Sequence, residues 1–291
     1  EEFVMEHKLL SKLINRKDDT NKYSYGHVLI IGGSPGTVGA PLLSAMASLR
    51  IGAGLVTIAS SINVIDKLEK RVLEAMTLRI PENENEAFDS LNKFIKERKI
   101  SVVLIGPGLV NFNANLIKKL IANISIPTIL DAGALTCFKD DLVKLKQASI
   151  RNKQFIFTPH DGEFKKLTGI ELPSDIHSRK EVAALYSKEF EVVLVSKANK
   201  TLVAGPDGSI YENYTGNPGL ATAGTGDVLA GIIAGLLAQD FTTFEASQLG
   251  VYLHGLAGDI AAQEKTQPGI IASDVIEYLP NALSSKNMSS K

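Results

Sequence analysis

The chain has 291 residues, 44% of them hydrophobic, with 31 Lys+Arg against 32 Asp+Glu and a formal net charge of -1. That length and apolar content suffice for one large α/β unit, and the balanced charge gives no sign of a nucleic-acid or membrane partner. Cys137 is the only cysteine, which excludes an internal disulfide and a multi-cysteine zinc site and points to a reducing, cytoplasmic setting.

Residues 1–24 carry the basic run Lys8 to Lys22 and no long apolar region. They predict a solvated N-terminal arm rather than a docking patch or a signal peptide. "HVLIIGG" (27–33) reads as a buried strand, "PLLSAMASLRIGAG" (41–54) as a helix and "LVTIAS" (55–60) as the next strand, so the chain opens with a βαβ unit. Further strands are predicted at 102–106, 127–131, 154–159 and 192–196, with helical stretches between most of them. Their apolar runs are continuous rather than alternating, as in parallel strands covered on both faces. "TLVAGPDGSIYEN" (201–213) reads as a hairpin around a Pro-Asp-Gly turn. The chain is helical from Asp227 onward. Its longest apolar run, Val228 to Ala238, is too short and glycine-rich to span a bilayer. Residues 284–291 predict a frayed tail. The economical fold is a single doubly wound α/β domain over 1–291, a mostly parallel sheet with helices on both faces.

Ligands in such sheets bind beyond the carboxyl ends of the strands. Five segments follow strands here: "GGSPGTVGA" (32–40), "GPGL" (106–109), "DAGAL" (131–135), "TPHDGE" (158–163) and "SKANKT" (196–201). "GTGD" (224–227) joins them, and all six are polar or glycine-rich. The first matches neither the P-loop nor the G-x-G-x-x-G spacing. The stronger anion site is "AGTGD", where Gly224, Thr225 and Gly226 leave backbone N–H groups at a helix start. Asp227 then has two readings: an acid in the first helical turn, or a base beside a bound phosphate. His160 and Glu163 have two as well. They are a surface histidine with a first-turn acid, or a substrate contact with a carboxylate holding a magnesium-bound water. Lys197 and Lys200 follow the same strand; by position either can reach a phosphate, and at least one of them is expected to be only solvated. Cys137 has no reason to be a nucleophile, and His254 reads as a packed histidine.

The segments "GHVLIIGGSPGTVGAPLLSAMASLRIGAGLVTIA", "GPGL", "TPHDGEFKKLTG", "GNPGLATAGTGDVLAGIIAGLLAQ" and "GVYLHGLAGDIAA" together resemble the ADP/ATP-dependent NAD(P)H-hydrate dehydratase family. The resemblance runs from about Tyr25 to Pro280 and implies a ribokinase-like fold. It implies that Asp227 is the acid at the reacting hydroxyl and that Gly226 faces the nucleotide phosphates. Lys197, Ala198, Asn199, Lys200 and Thr201 fall on the family's nucleotide-binding segment. Ala40, Gly108 and His160 fall where the family contacts the hydrated nicotinamide nucleotide. The implied reactants are hydrated NADH or NADPH and a donor, ADP or ATP, with Mg2+ as cofactor. A homo-oligomer is expected, served by a separate NAD(P)H-hydrate epimerase. The chain departs from the family's usual pattern at Gly133, where Asp is common, and at Asp161, Ala198 and Ala223. Gly133 removes a carboxylate from the rim.

Overall fold

In the computed structural model, which describes residues 2–284, nine strands form one sheet in the order β3-β2-β1-β4-β5-β6-β7-β8-β9. Helix α1 (Glu2–Ile14) and a short 3-10 turn (Lys22–Tyr25) lead into β1 (His27–Ile31), α2 (Gly39–Arg50) and β2 (Leu55–Ser61). Next come α3 (Ile62–Leu68), β3 (Met76–Ile80), α4 (Glu84–Glu97), β4 (Val102–Ile105) and α5 (Ala114–Asn123). The middle of the chain supplies β5 (Thr128–Leu130), α6 (Gly133–Thr136), α7 (Leu142–Asn152) and β6 (Phe155–Phe157). It continues through α8 (Asp161–Thr168), α9 (Ile176–Phe190), β7 (Val193–Ser196) and the hairpin β8 (Leu202–Ala204) and β9 (Ile210–Glu212). Three long helices close it: α10 (Thr225–Leu237), α11 (Thr243–Lys265) and α12 (Ala272–Leu283).

Strands β1 to β7 pair in parallel, and β8 and β9 add on antiparallel. Every residue of β1 and β4 is buried, because successive side chains point to opposite faces and both faces are covered. Val28, Ile30, Val102 and Leu104 pack under α2, α10, α11 and α12, whereas Leu29, Ile31, Val103 and Ile105 pack under α5, α7, α8 and α9. The chain runs outward through β2 and β3, then returns past β1 to β4. That reversal between β1 and β4 parts the following loops and opens the crevice in which such sheets bind ligands. None of the described helices is long and apolar enough to cross a membrane.

Two expectations needed correcting. The N-terminal segment is not a solvated arm: Leu9, Leu10 and Leu13 are buried in the core, against α11. Its lysines hide an amphipathic helix, and the apolar spacing i, i+1, i+4 makes one face. No strand is expected between 60 and 102 from the apolar pattern, yet β3 pairs with β2 there. As an edge strand it is only partly buried, and Arg79 turns outward to Asp66 and Glu69, so it lacks the continuous apolar run of its neighbours. Of the expected frayed tail, Ser284 lies just beyond α12 and residues 285–291 lie outside the described residues.

Candidate active site

The carboxyl ends of β5, β6 and β7 carry Asp131, the Thr158–Glu163 turn and Lys197 to one point. Beyond the strands, the Lys197 N–H still donates to the Pro159 carbonyl at 3.0 Å, so the pairing of β6 with β7 continues and aims the lysine inward. Its Nζ lies 2.9 Å from Asp131 Oδ1 and 3.6 Å from Glu163 Oε2. Thr158 Oγ1 donates to the same Asp131 oxygen at 2.7 Å, which holds the acid in place. Burial works against the ammonium, but Asp131, Glu163 and the nearby Asp227 outweigh it and keep Lys197 above the ordinary lysine range. Three carboxyl groups thus share one fixed cation.

Asp227 stands third in α10, in the first turn as the simpler reading expects. Its carboxylate accepts no hydrogen bond from another described residue, so any support it lends α10 acts through the helix dipole rather than a capping bond. Burial, and then the Asp131 charge, push its pKa from 3.8 to about 7; Lys197 pulls the other way and Glu163 adds to the rise. A carboxyl poised near neutrality is the pKa a general base needs at cellular pH.

Gly224 precedes α10 in the left-handed region, with φ of 88°, and no side chain caps the helix. That conformation costs glycine little and leaves the first amides of α10 facing open space with the helix dipole behind them. The space is a cavity of about 550 Å3. Lys197, Ala198, Asn199 and Thr201 line one side of it, and Thr225, Gly226 and His254 the other. The Gly216–Gly219 turn is tied down by Asp259 of α11, which accepts from Gly216 N at 3.0 Å and Asn217 Nδ2 at 2.8 Å. His254 Nε2 lies 3.0 Å from the Thr225 carbonyl oxygen, and burial lowers its pKa to about 4. It is a neutral packed histidine, as its sequence context suggests.

Ala40 and Gly108 meet across the crevice: a Cβ on Gly108 would lie 3.0 Å from that of Ala40, and Thr37 Oγ1 donates to the Gly108 carbonyl at 2.6 Å. One turn along α2 from Ala40, Ser44 Oγ donates to the Asp227 carbonyl at 2.7 Å. Residues four apart share a helix face, so Ala40 overlooks the start of α10. His160 caps α8, its Nδ1 accepting from Gly162 N at 3.0 Å and Glu163 N at 3.2 Å, while Glu163 accepts from His160 N at 2.9 Å. The same two residues therefore serve the helix and border the carboxylate cluster. Lys200 does not join them. Its side chain is 64% exposed and pairs with Glu212 at 3.2 Å.

Asp131 and Asp259 were not singled out as site residues in the sequence. For Asp131 the available signal was an acid at a strand's carboxyl end, followed by small residues. At Gly133 an added Cβ would stand 2.2 Å from the Leu109 carbonyl oxygen and 3.0 Å from the Phe112 ring. The loop after β4 has occupied the room that a larger residue there needs. Cys137 is half-buried, with burial pushing its thiol to about 11, so it is no nucleophile.

Among the described residues no three His, Cys, Asp or Glu side chains form a ready-made metal cage. The oxygen donors of Glu163 and Asp131 nonetheless fit Mg2+, which takes few carboxylates and fills its remaining positions with water and phosphate oxygens. Glu163 already accepts the His160 amide, which suits a contact through water.

Residues 28–281 match the family model of NAD(P)H-hydrate dehydratase. A bifunctional NAD(P)H-hydrate repair enzyme from Moorella thermoacetica is 41% identical over 94% of this chain and 52% of its own length. The chain thus spans about half the length of such bifunctional relatives. An ADP-dependent (S)-NAD(P)H-hydrate dehydratase from Neisseria meningitidis is 34% identical over 89% of this chain and 86% of its own. Among solved structures, the ADP/ATP-dependent NAD(P)H-hydrate dehydratase from Bacillus subtilis, crystallised with ATP and Mg2+, has a TM-score of 0.80 and 29% identity, covering 98% of this chain and 97% of its own. A plant ribokinase shares the fold alone, at 11% identity and a TM-score of 0.55. With the family model spanning almost the whole sheet and its helices, this chain belongs to the NAD(P)H-hydrate dehydratase family.

Proposed function

We propose that the chain dehydrates the (6S)-hydrates of NADH and NADPH, using ADP or ATP to phosphorylate the hydroxyl that must leave. The observation that carries this reading is Asp227: a desolvated carboxyl with a pKa near 7, at the start of a helix whose free amides suit a phosphate. In the hydrate, a hydroxyl sits on the carbon beside the ring nitrogen, and hydroxide leaves poorly. Asp227 accepts the hydroxyl proton as the oxygen attacks the donor's terminal phosphorus, and the donor departs as AMP (or ADP). The ring nitrogen lone pair then breaks the C–O bond and expels inorganic phosphate, and loss of a proton from the neighbouring carbon restores the double bond. Base assistance of this kind contributes about 10²–10⁴-fold. The amides of Gly224, Thr225 and Gly226, with the Lys197 ammonium, stabilise the charge on the phosphoryl group in transit. Mg2+ held near Glu163 and Asp131 would neutralise donor phosphate charge.

The donor lies in the 550 Å3 cavity against Lys197, Ala198, Asn199 and Thr201, while Lys200 turns away to Glu212. The hydrate lies against Ala40, Gly108 and His160. Donor preference follows the Neisseria relative, so ADP is expected to serve at least as well as ATP, and a strong kinetic preference for ATP would contradict this. The decisive assay mixes hydrated NADH, Mg2+ and each donor and follows the reduced-nicotinamide absorbance. Its recovery together with AMP supports the reading; accumulation of a stable phosphorylated hydrate assigns a kinase instead, and no turnover leaves a nucleotide-binding protein. A cytoplasmic setting, self-association and an epimerase activity that supplies the reactive epimer complete the reading. The first rests on the lone thiol and the other two on the resemblance. Sedimentation tests self-association.

A further inference from the structure

Farther along the same rim lies a second cavity, of about 230 Å3, which the chemistry above does not use. Its walls are the backbone of Gly32–Pro35 after β1, the end of β2 at Ser60, Glu82 beyond β3, and the 109–113 loop with the Phe112 ring. We propose that this cavity receives the distal, adenosine half of the dinucleotide substrate, and that Glu82 makes the chain prefer hydrated NADH to hydrated NADPH. The inference rests on the reading above that a hydrated nicotinamide dinucleotide is the substrate.

Size, place and chemistry point the same way. Sites that enclose a whole ligand run to roughly 300–1,000 Å3, so this cavity suits one nucleoside of a larger molecule. In the sheet, Asp131 follows β5, and β2 lies three strands away through β4 and β1. At about 4.8 Å per strand that is roughly 14 Å, a gap a pyrophosphate-linked dinucleotide bridges. The phosphoryl donor occupies the opposite side of the reacting carboxylates, toward β7 and β8. The loops that carry Gly108 and Ala40 also wall the cavity, and Gly33 N donating to the Pro107 carbonyl at 2.8 Å locks them together. A hydrate lying on Gly108 is therefore already at the cavity's edge.

Phe112 and the aliphatic walls suit a base. The polar groups suit a ribose that carries only hydroxyls. Asn113 is committed to Leu116 N and to Glu84, at 3.0 and 3.1 Å. Glu82 is exposed and forms no hydrogen bond or ion pair with another described residue. None of the described residues lining the cavity is Lys, Arg or His. An acid accepts the 2′-hydroxyl of NAD-type ribose, whereas a 2′-phosphate calls for a basic partner and is repelled here.

The test compares the whole chain with Glu82→Gln and Glu82→Lys, both at an exposed turn, by equilibrium binding of NADH and of NADPH. Hydrate turnover with ADP and Mg2+ is measured in parallel. NADH is expected to bind roughly tenfold more tightly than NADPH, the ratio that like charges a few ångströms apart near solvent produce. Glu82→Gln should narrow that ratio and Glu82→Lys should invert it, with the KM for ADP unmoved. Equal affinities in the parent, or a ratio indifferent to Glu82→Lys, overturn the subsite. A ratio that responds to Glu82 while neither hydrate turns over supports the subsite and overturns the dehydratase reading instead.

Discussion

Asp227→Asn should leave a more stable protein that does not work. The substitution removes a charge and keeps the side chain's size. In the folded chain the carboxyl titrates at about 7 against 3.8 when unperturbed, so between those values the native state holds a proton that the unfolded chain has released. Stability therefore falls as pH climbs through this window, and the whole cost is present above about pH 7. The gap of about three pH units corresponds to about 4 kcal/mol. Because the group is not fully buried, solvent screening reduces this to roughly 1–2 kcal/mol. Lys197 keeps Asp131 and Glu163 as partners, so the cluster does not come apart. Urea melts at about pH 8 should show the variant more stable by that margin, with the difference vanishing below about pH 4. A merely helix-supporting acid predicts the opposite sign, a loss of up to about 1 kcal/mol. Turnover should fall by roughly 10²-fold or more, with nucleotide binding retained or tightened as a repelling charge is removed. In the parent, kcat/KM should rise with pH along a limb near 7 that belongs to the coupled carboxylates. Near-normal turnover in the folded variant, or lower stability at about pH 8, would falsify this assignment.

Lys197→Met strands Asp131 without its cation, and a loss of about 3–5 kcal/mol is expected in chemical denaturation. Because Lys197 holds the Asp227 pKa down, the acid limb of any residual activity should also move above 7, and an unmoved limb would contradict the shared-cation picture. His160→Ala removes the α8 cap, costing about 1 kcal/mol. It should raise the KM for the hydrate while sparing that for ADP, and unchanged kinetics would reduce His160 to its capping role. Gly133→Asp drives a Cβ against the Leu109 carbonyl and should cost on the order of 1–3 kcal/mol. It should also weaken hydrate binding by displacing the loop that carries Gly108. A variant of unchanged melting temperature would show that this loop yields freely.

Local patterns along the chain specify the central parallel strands, the closing hairpin, the helices from Asp227 onward and the glycine turn before Asp227. Each is a local signal: a buried strand must be apolar along its length, and a turn against a helix start must be small. Helix α1 and strand β3 escaped because each divides its residues between core and solvent, so Lys8 and Lys12 mask Leu9 and Leu13, and Arg79 interrupts the edge. The site divides along the same line. Asp227, His160, Glu163 and Lys197 could be picked out from motif and position, and Asp131 was visible only as an acid after a strand. Folding alone brings Asp131 and Lys197, 66 positions apart, to 2.9 Å, holds Lys200 away at Glu212, and raises the Asp227 pKa toward neutrality. Strand order sets which loop ends converge, and burial beside other charges sets a pKa; both are long-range properties that no local run of residues encodes.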